Sequence, residues 1–297
     1  MLIEEESFIR FNQNICPFCD SKSSEIHLKT LDQLHDSGLV FNLIKCNHCY
    51  GVFLDGSCFH TLNDYYKYAY HDSYYTGKML STDQNIPFLK WHPLDVVFNH
   101  KTNVSCLDIG SGGGAFLKYM QNRGHQVTGI EFDKDSASRI SKKLNCQIYS
   151  GSIDQIEIES KFDLITMWDV LEHFIDPQHT LKRIKTLLKD NGRIVLGVPN
   201  FDSFEAKLLR SSWFGLEAPR HIIQCTPHHL KLLIEKSNYS IITLKKLRRS
   251  SYFKKSFIDQ RLICQNNRLS NNTLTLIQYL LRLLGNSAYL VCVIEPI

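Results

Sequence analysis

Two cysteine pairs near the start of the chain are the first residues with chemistry in their spacing: Cys16-Pro17-Phe18-Cys19 and Cys46-Asn47-His48-Cys49. Each CxxC knuckle brings two thiolates to one ion from a tight turn. Two knuckles close a tetrahedral shell, the arrangement of structural zinc. Four thiolates leave no open position, so a metal held by Cys16, Cys19, Cys46 and Cys49 is expected to be structural. Free thiols or a redox CxxC are the alternatives, and two matched pairs argue against the second. A second constellation is Gly110-Ser111-Gly112-Gly113-Gly114, which follows a short apolar run. Glycines there permit positive φ and let the backbone approach a ligand closely. A helix starting after them turns its free N–H groups toward that ligand. Glu131 follows about 20 residues on, where an acid typically takes ribose hydroxyls, so a nucleoside-bearing cofactor is implied. The glycines alone do not exclude a nicotinamide dinucleotide, because Ala115 at the sixth position is tolerated in that pattern.

These groups need elements to hold them. Val104–Ile109 reads as a strand that leads into the glycine turn. A helix follows, with apolar spacing at Phe116, Leu117 and Met120 and a stop at Gly124. Gln126–Ile130 reads as the next strand. Between the knuckles, His27–Leu31 and Gly38–Ile44 read as short strands, which makes residues 1–60 a small zinc ribbon. Residues 61–100 are rich in tyrosine and read as a helical connector, or as a lid with Tyr74 or Tyr75 as stacking surface. The apolar residues of 86–98 suggest a helix leading into the domain at 101–297. Thr226-Pro227 caps a helix, Ile241–Leu247 reads as an outer strand, and Leu274–Leu284 as an amphipathic helix.

Composition bounds the function classes. The 297 residues are 43% hydrophobic and include 17 Phe, 13 Tyr and 3 Trp, which excludes a disordered chain. No run of about 18 apolar residues suggests a spanning helix. The start MLIEEESFIRF is acidic where a secretory signal is basic and then apolar. Ten cysteines without an export signal point to a reducing, cytoplasmic setting. Cys58, Cys106, Cys146, Cys225, Cys264 and Cys292 read as core residues or inert thiols. A formal charge of +4 allows an acidic substrate without demanding nucleic acid.

Leu107-Asp108-Ile109-Gly110 with the following glycines resembles the first motif of class I S-adenosylmethionine-dependent methyltransferases. Asp108 matches the acid before the glycines, which dinucleotide dehydrogenases usually lack. Phe162–His173 with Phe174-Ile175-Asp176-Pro177 resembles the fourth strand and turn of the quinone-biosynthesis-like branch. Gly192–Asn200 is similar to that branch's fifth strand, and Trp213–Pro227 to its substrate-side segment, which spans 200–227. Many members carry an N-terminal zinc ribbon and a tyrosine-rich stretch. The resemblance implies an α/β fold: a doubly wound, seven-stranded Rossmann-like sheet, last strand antiparallel, with the small ribbon in front.

It also implies roles. Gly110, Gly112 and Gly114 would pass under the methionine part of S-adenosylmethionine. Asp108 would organise the loop and the cofactor's amino group, and Glu131 would bind ribose. Phe132, Ser152 and Ile153 would border adenine, Ser152 standing where the family often has an acid. Trp168 and Asp169 would sit near the sulfonium. An alcohol-type oxygen needs a base during attack, and histidine's pKa suits that task. His221 is the preferred candidate and His173 the second; for His221 a structural bond to loop backbone is the alternative. Arg220 would hold an anionic substrate group or serve as an ion-pair partner. Asp169, Glu172 and His173 match an acid-x-x-Glu-His set that holds a divalent metal in some quinone and RNA methyltransferases.

The basic residues Lys245, Lys246, Arg248, Arg249, Lys254 and Lys255, with Tyr252 and Phe253 among them, read as a solvated edge or a phosphate landing site. The leading expectation is a cytoplasmic methyltransferase acting at oxygen on a small or carrier-linked metabolite, sugar-containing or phenol-like. The alternatives are an RNA methyltransferase gripping nucleic acid through ribbon and basic cluster, disfavoured by the mild charge, and a non-catalytic S-adenosylmethionine-binding partner subunit. Oligomeric state is not read from the sequence.

Overall fold

The structure is a computed structural model that describes residues 5–32, 37–58, 103–247, Tyr252, Ser256 and 287–297. The tyrosine-rich stretch at 61–100, Cys264, Leu274–Leu284 and four of the six basic residues (Arg248, Arg249, Lys254, Lys255) lie outside them.

The elements run α1 (Glu5–Asn12), β1 (Ser24–Leu31), β2 (Val40–Cys46), β3 (Val52–Leu54), β4 (Ser105–Ile109), α2 (Ala115–Gln121), β5 (Gln126–Glu131), α3 (Lys134–Leu144), β6 (Gln147–Ser150) and β7 (Phe162–Trp168). A 3-10 turn at Leu171–His173 comes next. After it come α4 (Pro177–Lys185), β8 (Leu188–Pro199), α5 (Phe204–Leu209), β9 (Ile223–Gln224), α6 (Pro227–Lys236), β10 (Tyr239–Leu247) and β11 (Tyr289–Pro296).

The large sheet has seven strands in the order β10-β11-β8-β7-β4-β5-β6. β4, β5, β6, β7 and β8 pair in parallel, while β11 runs antiparallel to both β8 and β10. This is the sheet the resemblance implied, with the last strand inserted antiparallel. The central strands are buried on both faces, so they read as continuous apolar runs rather than alternating ones. Leu164-Ile165-Thr166-Met167 and Ile194-Val195-Leu196 are completely covered. Helix starts follow local capping chemistry. The carboxylate of Asp133 accepts from the Ser136 N–H ahead of α3, that of Asp176 from the His179 N–H ahead of α4, and the Thr226 hydroxyl from the His229 N–H ahead of α6.

The N-terminal module is a second sheet, ordered β1-β2-β3-β9. Its fourth strand comes from the far side of the chain, beyond β8. The module's buried Phe18, Phe41, Leu43, Phe53 and Leu54 belong to one continuous core with Ile109, Leu164, Trp213, Ile223 and Leu230. A smaller cluster of Leu117, Ala137, Ile140, Leu144 and Ile148 packs α2 and α3 against β6.

Candidate active site

The four N-terminal thiols converge. Cys16 Sγ lies 3.6 Å from Cys49 Sγ and Cys19 Sγ 3.5 Å from Cys46 Sγ. All four sulfurs lie within 4.8 Å of one another. Sulfurs around a tetrahedral ion at roughly 2.3 Å sit about 3.8 Å apart. Backbone N–H groups already point at the thiols: His48 and Cys49 donate to Cys46 Sγ, and Gly51 donates to Cys49 Sγ. The hydrogen bond from Cys16 drives the Cys49 thiol well below its ordinary value, to about 3, and Cys16 is pushed up in turn. The donor set therefore fits a zinc ion. The scattered cysteines behave differently. Cys106 and Cys225 are fully enclosed and burial raises both, and it lifts Cys58 and Cys292 to about 12, so these thiols stay protonated.

The glycine turn sits at the carboxyl end of β4, beside the end of β5, where doubly wound sheets bind ligands. Gly110, Gly112 and Gly114 all have positive φ, at 71°, 53° and 74°. A Cβ on Gly110 would lie 2.4 Å from Val170 Cγ2, and one on Gly114 2.8 Å from Ile140 Cγ2. The loop is fastened from below. The N–H groups of Gly110 and Ser111 donate to the Ile130 carbonyl, and the Ser111 hydroxyl donates to the Asp108 carbonyl. Glu131 caps β5, and its carboxylate accepts from the Gly112 N–H at 2.7 Å and the Asp133 N–H at 3.3 Å. Burial pushes the Glu131 carboxyl up, against those bonds. Phe132 next to it is 42% exposed. A fixed carboxylate, a partly exposed aromatic ring and a glycine-rich loop fit an adenosyl group. Asp108 is 2% exposed and accepts from the Thr166 hydroxyl at 2.7 Å; burial lifts it to about 7. Ser152 and Ile153 follow β6 on the Glu131 side of the sheet, and Ile153 is buried.

The end of β7 carries the other half of the site. Trp168 packs against Phe116 of α2, ring centroids 5.7 Å apart. Asp169 has φ 55°, so the chain turns sharply there, and its carboxylate accepts from the Tyr252 hydroxyl at 3.3 Å. The turn then brings Glu172 and His173 under the segment that carries Glu217, Arg220 and His221. The rings of His173 and His221 meet edge-on, 4.7 Å apart. His173 Nδ1–H donates to the Arg220 carbonyl at 2.9 Å. His221 Nδ1–H donates to the Gly215 carbonyl at 2.9 Å, which leaves Nε2 facing Glu217 at 3.1 Å and Glu172 at 3.8 Å. Burial, reinforced by His221, lowers His173 to about 4, so its ring is neutral at ordinary pH.

The structure thus brings His173, Arg220 and His221 together. It gives His221, at 1% exposure, the backbone bond that was the alternative to a catalytic role. Arg220 lies 3.1 Å from Glu217, the ion-pair role of its two expectations. Of the expected acid-x-x-Glu-His set, Glu172 and His173 join His221 within 4.8 Å, and Asp169 is outside that group. Lys246 lies 3.9 Å from Asp202, and Tyr252 is buried against Trp213 and Phe214. Glu217 escaped the sequence reading, and Tyr252 was placed only within the basic cluster, not beside Asp169. Glu217 had a signal, since it precedes His221 by four residues in the same proline-containing turn. The Tyr252 contact with Asp169 had none, because the neighbours of Tyr252 in sequence suggested a surface.

A methyltransferase-domain family model matches residues 84–244. The ubiquinone biosynthesis O-methyltransferase of Aeromonas salmonicida is 32% identical over 101 residues, 32% of this chain and 42% of that protein. Its counterpart from Idiomarina loihiensis is 27% identical over 153 residues, 48% of this chain and 60% of that protein. The chain spans about half the length of the curated relatives it matches. The solved 1,6-didemethyltoxoflavin-N1-methyltransferase of Burkholderia thailandensis, with S-adenosylhomocysteine bound, superposes with a TM-score of 0.53 at 15% identity. It covers 92% of this chain and 99% of its own, a likeness of fold. Among the described residues no helix is long and apolar enough to cross a membrane.

Proposed function

Because the chain belongs to the methyltransferase domain family, we propose that it methylates a hydroxyl of a small or carrier-linked metabolite, phenol-like or sugar-containing, with S-adenosylmethionine as donor. The bound donor supplies a methyl group already activated by its sulfonium. The protein's work is then alignment and proton handling. Gly110, Gly112 and Gly114 keep side chains out of the donor's space. Glu131 offers its carboxylate to ribose hydroxyls, and Phe132 borders the base. Trp168 and Asp169 border the reacting end.

The observation that carries the oxygen assignment is the group of buried Glu172 and His221 with half-buried His173 and Glu217 beyond β7. With Nδ1–H committed to Gly215, His221 Nε2 lies 3.1 Å from the Glu217 carboxylate and makes no hydrogen bond, so its lone pair is left to take a proton that Glu217 can then share. The pair, not the imidazole alone, is the base that receives the hydroxyl proton. Neutral His173 holds the neighbouring turn in place through the Arg220 carbonyl. Radiolabelled S-adenosylmethionine presented with phenolic and sugar-nucleotide acceptors tests the reaction. Label should appear on oxygen. His221→Ala should lower turnover by roughly 10²–10⁴-fold and leave S-adenosylhomocysteine affinity intact. Normal turnover in that variant removes the pair from the mechanism.

A second reading keeps the reaction and is favoured by the close approach of Glu172, His173 and His221. Both imidazoles direct Nδ1–H to carbonyls, as histidines that ligate through Nε2 do. These three would then hold a divalent cation that acidifies the hydroxyl. Stimulation by added magnesium or manganese, with the cysteine-bound metal retained, separates it from the metal-free pair.

A further inference from the structure

We propose that the N-terminal four-cysteine module is part of the acceptor-binding apparatus: its metal anchors the segment that carries Glu217, Arg220 and His221. This rests on the transferase reading above for the meaning of that segment, and on contacts between the two parts for the anchoring.

The contacts are specific. β9 is a two-residue strand, and among the described residues its sheet partner is β3 alone, pairing Val52 with Gln224 and Phe53 with Ile223. The Leu54 N–H donates to the Ile222 carbonyl at 2.7 Å, and the Ile222 N–H donates to the Glu172 carbonyl at 2.7 Å. Ile222 directly follows His221 in the chain. The His221 segment is therefore held between a strand of the module on one side and the turn after β7 on the other. The link reaches the knuckles themselves. His229, in the first turn of α6, accepts the Thr226 hydroxyl on Nδ1 and donates from Nε2 to the Cys49 carbonyl at 2.9 Å. Its ring lies 4.9 Å from that of Phe18, inside the first knuckle. Gln178 of α4 donates to the Pro17 carbonyl at 2.9 Å, and Thr30 of β1 donates to the Ser211 carbonyl at 2.9 Å. Asp20 pairs with both Arg10 and Lys236.

Both knuckles thus feed one path, from the thiolates through β3 and His229 to residues 221–229. The short strands of the module are held together by the ion, since closing a four-thiolate shell is what folds so small a unit. A two-residue strand with one partner has little stability of its own. Loss of the ion should therefore loosen β3 first, then β9 and the His221 turn. The glycine loop is fastened to β5 through Ile130 and Glu131 and has no bond to the module among those described. Cofactor affinity should survive.

Hydrogen exchange on the zinc-loaded full chain, and on the same chain after zinc is stripped, tests this. Removal should speed exchange of the 222–225 amides at least about tenfold while the Cys106–Ile109 amides and the Kd for S-adenosylhomocysteine stay within about twofold, the pattern of a local opening. His229→Phe keeps a ring against Phe18 but loses both hydrogen bonds. It should speed the same amides with zinc still bound. Unchanged exchange at 222–225 after zinc loss overturns the proposal. So does equal opening of Cys106–Ile109, which would make the metal a staple for the whole chain, and so does a chain that takes up no zinc. A zinc-loaded protein that fails to bind S-adenosylhomocysteine overturns the transferase reading instead, and the exchange comparison still decides the anchoring.

Discussion

Gly110→Ala tests the cofactor loop with a single methyl group. Gly110 has φ 71°, a left-handed conformation that costs a residue with a Cβ roughly 1–2 kcal/mol. The new methyl would also sit 2.4 Å from Val170 Cγ2, against an ordinary carbon contact of about 3.5–4.0 Å. Overpacking of this kind costs about 1–3 kcal/mol, so the two effects together come to roughly 2–5 kcal/mol. If the loop holds its shape, the cost appears as lost stability; if it moves, the cost appears as lost cofactor affinity. At 1.4 kcal/mol per factor of ten, the full amount in binding is a thirty- to several-thousand-fold rise in Kd, on the order of magnitude set by those costs. Calorimetry with S-adenosylhomocysteine and thermal melts on the same samples measure both shares. Adding Val170→Ala removes the clash and leaves the φ penalty. The double variant should regain about 1–3 kcal/mol relative to Gly110→Ala. Wild-type stability and affinity in Gly110→Ala, or no recovery in the double variant, would refute the loop geometry.

Other consequences are as direct. Glu131→Ala should weaken S-adenosylhomocysteine by about ten- to a hundredfold, since hydrogen bonds to charged groups contribute roughly 1.5–3 kcal/mol; an unchanged Kd removes Glu131 from the site. Metal analysis of protein purified without chelator should find one zinc per chain, and Cys16→Ser with Cys46→Ser should abolish it. Burial raises Asp163, but the Lys189 ammonium at 2.8 Å, with the Ser105 hydroxyl and N–H, outweighs it and holds the carboxyl at about 2. Its folded pKa lies below the unfolded one. Its contribution is therefore present above pH about 4 and is lost as the pH falls toward 2. Melting curves should show Asp163→Asn less stable than wild type near neutrality, with the gap closing over that window; a constant gap contradicts the assignment. Trp213, fully buried, should cost about 3–5 kcal/mol on truncation to alanine, read from thermal or denaturant melts.

Local chemistry was legible in the residues themselves. Four thiols at two knuckle spacings, three glycines after an apolar run, an acid at the end of the next strand and Thr226-Pro227 before a helix each depend on a few neighbours in sequence. The backbone conformation they require leaves few alternatives. The order of the seven strands was legible only through resemblance, because an apolar run records burial and not which strand lies beside it.

What tertiary structure alone decided are the partnerships between distant segments. β3 and β9 are too short to carry a periodic signal; β3 is a strand because β2 on one side and β9 on the other satisfy its backbone groups, and β9 because β3 does. Tyr252 sits among basic residues in sequence, yet is buried against Trp213 with its hydroxyl on Asp169. His221 is a suggestive residue in the chain. Only the fold shows that its Nδ1 is bonded to Gly215 while Nε2 faces Glu217 at 3.1 Å, and that the strand beside it belongs to the N-terminal four-cysteine module. Short-range chemistry is written in neighbouring residues; which buried polar groups pair across the molecule is set by packing, where the sequence distance between partners carries no information.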